Sequence, residues 1–300
     1  MANDDNLTRS PGIAAKSVNR LRGIGTLMRA KDVLKRLVPP ILIDFLRGRP
    51  LFPGTEKIWD GIYPHVTAVP ISRPAYDNEA RVAEFVDRTR SALAAVRKGK
   101  LLGLEWHSTL SLLAASILHN RTEIRVLDFG GGVGLAFVEL LGSLRTNAAI
   151  IYCVVDLEKM CVAGRELFAD DSRIQFHVDI PPLQNKVDIV YASSVLPYTE
   201  DYAVVLRNLA ALNAPYLLLT QLAAGEFRTY AAKQVNLAGQ TLPYWFLNIK
   251  EVLGIVAAAG YILAYESQAG PEYDQSNYPE EYRVGRMRNL LFVRKDETAH

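Results

Sequence analysis

Residues 123–134 read E-I-R-V-L-D-F-G-G-G-V-G, and no other stretch limits the fold as tightly. A short apolar, β-branched run stops at an acid, Asp128, and alternating glycines follow at Gly130, Gly132 and Gly134. A buried strand that turns sharply into a helix, with its backbone N–H groups left open to a ligand, calls for residues without a Cβ. The next apolar run, Ile150 to Val155, also ends in an acid, Asp156, 22 residues beyond Gly134. A glycine turn with an acid after the neighbouring strand is a nucleoside-binding arrangement.

Around this turn the hydrophobic pattern alternates regularly. It predicts strands at 124–129, 150–155, 174–178, 187–193, 215–221, 261–267 and 288–294. Helices are expected at 133–144, 157–168, 200–212 and 249–259, preceded by two more at 77–98 and 105–119. Alternating strand and helix units dictate a parallel sheet with helices on both faces. The last two strands have no helical pattern between them, so a hairpin return sets the final strand antiparallel. The expected fold is α/β: a doubly wound, mostly parallel seven-stranded sheet with an antiparallel last strand and an N-terminal helical extension.

Three stretches organise the chain: a polar tail, 1–18, expected to be disordered; a basic helical extension and connector, 19–104; and a main domain, 105–300. The first 50 residues hold ten Lys/Arg against four Asp/Glu, although the 300-residue chain carries a net charge of only +2. Such a small total excludes a general nucleic-acid binder. The basic stretch 20–49 reads either as a helix with a solvated face or as a surface for anionic lipid or a membrane-bound partner. Residues 59–76 read as an extended, aromatic, proline-rich connector. The two cysteines, Cys153 and Cys161, fall in a strand and the next helix and read as buried thiols. The acidic start does not fit a signal peptide, and no apolar run reaches the roughly 18 residues of a membrane span. The expected location is the cytoplasm, peripheral to the inner membrane face if residues 20–49 make that contact.

Two ligand classes compete for the turn. A dinucleotide fingerprint, G-x-G-x-x-G/A, fails because Leu135 stands where a small residue is needed. The pattern D-x-G-x-G-x-G is met in full by Asp128, Gly130, Gly132 and Gly134. A carboxylate beside the turn repels a pyrophosphate and suits a cationic amine, such as the α-amino group of S-adenosylmethionine. Asp156 would then accept hydrogen bonds from the ribose hydroxyls.

The stretches V-L-D-F-G-G-G-V-G, Y-C-V-V-D and D-I-V-Y-A-S-S-V-L-P-Y resemble the class I S-adenosylmethionine-dependent methyltransferases, which have a Rossmann-like fold. With L-V-P-P-I-L and W-D-G-I-Y upstream and L-P-Y-W-F downstream, the likeness extends over residues 35–295. It is narrower there: a methyltransferase family associated with bacterial surface-polysaccharide biosynthesis. The resemblance implies that Asp128, Gly130, Gly131, Gly132 and Gly134 hold the methionine end of the cofactor. It gives Asp156, with Leu157 beside it, the ribose, sets Asp179 near the adenine, and lines the substrate side with Ser193 and Ser194. The implied substrate is a sugar or glycan-linked intermediate.

Methyl transfer demands in-line positioning and exclusion of water, and a hydroxyl acceptor also wants a general base. His107 and Tyr198 are the candidates, each with a bland counterpart as a capping or a packing side chain. Glu200 and Asp201 follow the fourth strand, Tyr244, Trp245 and Phe246 lie in the connection after the fifth, and the insertion 268–287 reads as a lid, a substrate wall or a passive excursion. The five histidines make no metal-ligand spacing, so no metal is expected. Two alternatives remain open: a non-catalytic methyltransferase-like binding protein, and an NAD(P)-dependent enzyme.

Overall fold

The computed structural model describes residues 57–71, 79–100, 107–144, 148–182, 186–237 and 240–297. The basic stretch 20–49 and the tail before it lie outside these residues.

Strands β1 (Trp59–Tyr63), β2 (Glu123–Phe129), β3 (Ala149–Val155), β4 (Ile174–His177), β5 (Ile189–Ser193) and β6 (Tyr216–Leu222) are followed by β7 (Ala224–Gly225), β8 (Tyr230–Leu237) and β9 (Gln240–Asn248). The last two are β10 (Tyr261–Ala269) and β11 (Met287–Arg294). Among the described residues six α-helices accompany them: α1 (Glu79–Arg97), α2 (Ser108–Leu118), α3 (Leu135–Ser143), α4 (Glu158–Leu167), α5 (Tyr202–Ala210) and α6 (Ile249–Ala258). Seven strands form one sheet in the order β10-β11-β6-β5-β2-β3-β4. Neighbours run parallel from β6 to β4, whereas β11 runs against both β6 and β10. This is the doubly wound, mostly parallel sheet that the alternation implies. Strand order reverses between β2 and β5, and ligands of open α/β sheets bind at such a switch point, beyond the carboxyl ends of the strands.

The core forms in two layers because period-two alternation sends successive side chains to opposite faces. Val126, Tyr152, Tyr191 and Leu218 face Leu110, Leu113, Phe137 and Leu140 of α2 and α3. Leu127, Val190, Leu217 and Leu219 face Leu206, Leu209, Val252 and Val256 of α5 and α6. Two of the helices start on side-chain caps: Asp201 accepts from the Val204 N–H, and Asn248 accepts from the Lys250 and Glu251 N–H groups.

A second sheet, β1-β8-β9-β7, departs from the sequence reading. The stretch read as a long connection holds the antiparallel hairpin β8–β9, and the connector before it supplies β1, paired antiparallel with β8. Period-two patterning is weak in β8, which reads Y-A-A-K-Q-V-N-L, and Pro243 inside β9 argues against a strand. Tyr244 and Phe246 therefore lie in an aromatic cluster with Trp59, Phe227, Tyr230 and Tyr278, and Trp245 points to the main core. The chain between β10 and β11 packs on this sheet. Asn277 donates to the Trp59 carbonyl at 2.9 Å, the Tyr278 hydroxyl donates to Gly61 O at 3.1 Å, and Tyr230 donates to Tyr282 O at 2.6 Å.

Candidate active site

The glycines of the turn have three different jobs. Gly130, Gly132 and Gly134 all have left-handed φ values, of 76°, 60° and 89°. At Gly134 a Cβ would stand 2.8 Å from Ile174 Cδ1, so this residue lets α3 start hard against β4. At Gly130 a Cβ would collide with Val195 at 2.3 Å. Only at Gly132 is there ordinary room, the nearest atom being Phe85 Cδ1 of α1 at 3.5 Å. Gly131 closes over the acid below it: a Cβ there would be 2.4 Å from Asp128 Oδ2.

Asp128 is 1% exposed and accepts a hydrogen bond from the Tyr152 hydroxyl at 2.8 Å. Burial pushes its carboxyl up to about 7 against the pull of that hydrogen bond, and the nearby Asp156 adds repulsion. A cation arriving beside it would be welcomed as the counter-charge. Asp156, just past β3, accepts from the Gly132 N–H at 2.7 Å and from the Leu157 N–H at 2.7 Å. Burial raises its pKa and those two hydrogen bonds oppose the rise. The turn and the second acid thus adjoin across the switch point. A buried acid, an open glycine and a second acid on that glycine's N–H fit a nucleoside with a cationic amino-acid tail. Leu157, half exposed, opens α4, and Asp179 is exposed in the bend after β4.

Ser193 ends β5, and Ser194 follows with a left-handed φ of 53°, its N–H donating to Thr220 O at 2.9 Å. Gln221, one strand over, repeats that φ of 53° and donates from Nε2 to Ser193 Oγ at 3.2 Å. Two adjacent non-glycine residues in this region mark backbone held under strain, of the kind that clusters at functional sites.

His107 precedes α2 but makes no side-chain cap; its Nδ1 lies 2.6 Å from the Tyr191 hydroxyl. Burial, helped by the Arg88 charge, lowers its pKa to about 4, so the imidazole is neutral at physiological pH. Tyr198 stands apart from this group: its hydroxyl donates to Gln234 of β8 at 2.9 Å and its ring packs on Tyr244. Asp201 is engaged as the α5 cap.

Sequence reasoning missed Phe85, Val195, Tyr191, Thr220 and Gln221. Nothing in the sequence ties α1 to the turn. Tyr191 did leave a signal, since Ile189, Tyr191 and Ser193 share one face of β5 by alternation. Among the described residues no His/Cys/Asp/Glu cluster could hold a metal, and no helix is long and apolar enough to cross a membrane. A groove of about 700 Å³ between α5 and α6, lined by Tyr202, Arg207, Glu251 and Gly254, lies away from these acids and glycines.

The chain is similar to several methyltransferases of solved structure. Magnesium protoporphyrin IX methyltransferase from Synechocystis PCC 6803, with S-adenosylmethionine bound, is 18% identical, over 74% of this chain and 87% of its own, at a TM-score of 0.41. An amino pentose methyltransferase of Micromonospora echinaspora, from calicheamicin biosynthesis, is 16% identical over 74% and 99% at 0.44. A glycopeptide N-methyltransferase complexed with S-adenosylmethionine is 14% identical over 64% and 95% at 0.42. No protein of curated function matches the sequence. Residues 100–261, more than half the chain and the whole of the glycine turn, match the family model described as a methyltransferase domain, so this chain belongs to that methyltransferase family.

Proposed function

We propose that this methyltransferase acts on a sugar or a glycan-linked intermediate, with residues 20–49 bringing it to a membrane surface where such intermediates are held. The cofactor is S-adenosylmethionine, which when bound supplies a methyl group on a positively charged sulfur. One observation carries the site assignment: the Gly132 N–H and the Asp156 carboxylate meet at 2.7 Å above the buried Asp128. Asp128 and the turn would hold the cationic amino-acid end, and Asp156 the ribose. Phe85 and Val195 would wall off water beside them, and Ser193 and Ser194 would face the acceptor. The sugar acceptor is supported by the segments L-V-P-P-I-L, W-D-G-I-Y and L-P-Y-W-F, which resemble the polysaccharide-associated family.

Labelled S-adenosylmethionine incubated with the full chain and glycolipid extracts tests both parts. Label in a glycan-linked product is the expected result. Label only in protein or small amines would overturn the acceptor class, and no cofactor affinity in calorimetry would overturn the site.

A further inference from the structure

A file of polar side chains crosses the seven-stranded sheet beside the glycine turn, on the face covered by α2 and α3. His107 Nδ1 is 2.6 Å from the Tyr191 hydroxyl, which is 3.0 Å from Thr220 Oγ1. Thr220 Oγ1 in turn donates to Ser193 Oγ at 2.9 Å. Tyr191 is 0% and Thr220 1% exposed, so water does not compete for these groups.

The donation from Thr220 to Ser193 gives the file a direction in which each of its three contacts carries one proton. A hydroxyl has one proton to give. Thr220 spends its proton on Ser193, so the Thr220 oxygen receives the proton of Tyr191. With its own proton spent, the Tyr191 oxygen receives one from His107 Nδ1. A neutral imidazole has a single N–H, and which nitrogen bears it is set by the hydrogen bond the ring makes. The lone pair is therefore left on Nε2. An isolated histidine prefers the opposite form, with the proton on Nε2.

We propose that Tyr191 and Thr220 are positioning residues that lock His107 in its Nδ1–H form, so that Nε2 is the proton acceptor for the hydroxyl or amine being methylated. The base role rests on the methyl-transfer reading; the locked tautomer does not. In the step itself, the acceptor's lone pair forms the new bond to the methyl carbon while the carbon–sulfur bond breaks and its electron pair stays on sulfur. Nε2 takes the acceptor's proton and afterwards passes it to water. The sulfonium loses its positive charge as the imidazole gains one, so the net charge of the site is conserved. That conservation lets an imidazole lowered to about 4 serve in a buried place.

The test is long-range proton–nitrogen NMR of the full chain labelled with ¹⁵N-histidine, with the His107 signal assigned by its loss in His107→Gln. The expected pattern is protonated Nδ1 and bare Nε2 in the wild type. In Tyr191→Phe it should move to protonated Nε2, in Thr220→Val it should become mixed, and Thr220→Ser should restore it. If Tyr191→Phe does not fold, the Thr220 pair carries the same test. Protonated Nε2 in a wild type that binds S-adenosylmethionine would overturn the relay alone, as would a Tyr191→Phe pattern identical to wild type. A wild type with the expected tautomer but no cofactor affinity would instead remove the base role together with the methyl-transfer reading.

Discussion

Around the glycine turn, order comes from hydrogen bonds between buried polar atoms; in the four-stranded sheet it comes from rings packed on one another. At the turn, the Tyr152 hydroxyl donates to Asp128 at 2.8 Å and the Gly132 N–H donates to Asp156 at 2.7 Å. In the second sheet Trp59 lies 5.0–5.3 Å from the rings of Tyr244, Phe246 and Tyr273, and Tyr230 stacks on Phe246 at 4.8 Å. The first region can change its protonation and exchange partners with a ligand. The second is built mainly of packed rings, with tyrosine hydroxyls bonded to backbone carbonyls at its edge. Substitutions in the one should be read in pH dependence and affinity, and in the other in stability.

The largest effect expected is on the aromatic side. Phe246 is 0% exposed, and Phe246→Ala should cost roughly 3–5 kcal/mol in denaturant unfolding. Its affinity for S-adenosylmethionine should stay within about twofold of wild type wherever the variant is folded. A parallel loss of affinity would show the two regions to be coupled and would break the comparison.

Next comes Asp128. Its pKa is raised from 3.8 to about 7, so the buried group is favourable while protonated, and stability falls between about pH 4 and pH 7 and levels off above that. Asp128→Asn escapes that fall. At about 1.4 kcal/mol per unit, the stability gap should swing toward the variant by about 3 kcal/mol between pH 5 and pH 8. Paired melts at the two pH values measure it, and a constant gap would refute the buried-acid account. Cofactor affinity of the wild type should also rise with pH over this range, because a cationic tail pairs with the ionised acid.

Gly132→Val sharpens the contrast within the turn itself. It should weaken S-adenosylmethionine binding roughly a hundredfold, about 2.7 kcal/mol, in calorimetry while the protein remains folded. Gly134→Val, whose Cβ would press on Ile174, should instead fail in thermal melting. The smallest effect expected is at Asp156→Asn, about tenfold in affinity: the amide oxygen can still accept from Gly132 but brings no charge.

The sequence was legible where one short segment determines the backbone by itself. Three alternating glycines after V-L-D leave few conformations, and the strands that follow are short, apolar and evenly spaced. A mostly parallel seven-stranded sheet and its antiparallel last strand could be read from that spacing, but not the order of the strands. The second sheet was hidden because its strands come from segments far apart, and Lys233, Gln234 and Pro243 dilute the alternation of β8 and β9. At the turn the sequence shows that acids are present, but not what they touch. That Asp128 lies under Gly131 with Tyr152 as its partner depends on packing between β2 and β3, which no local pattern specifies.

The pairing of β1 with β8 has a consequence for how the chain acquires its shape. Trp59 is aligned with Gln234, so the early strand has no partner until most of the polypeptide has been made. At about 5–20 residues per second, a ribosome would leave it waiting roughly 10 to 35 s. Closure of so long a loop belongs to the slow class of folding events. The shift in Trp59 fluorescence on burial should therefore trail the formation of the parallel strands during refolding.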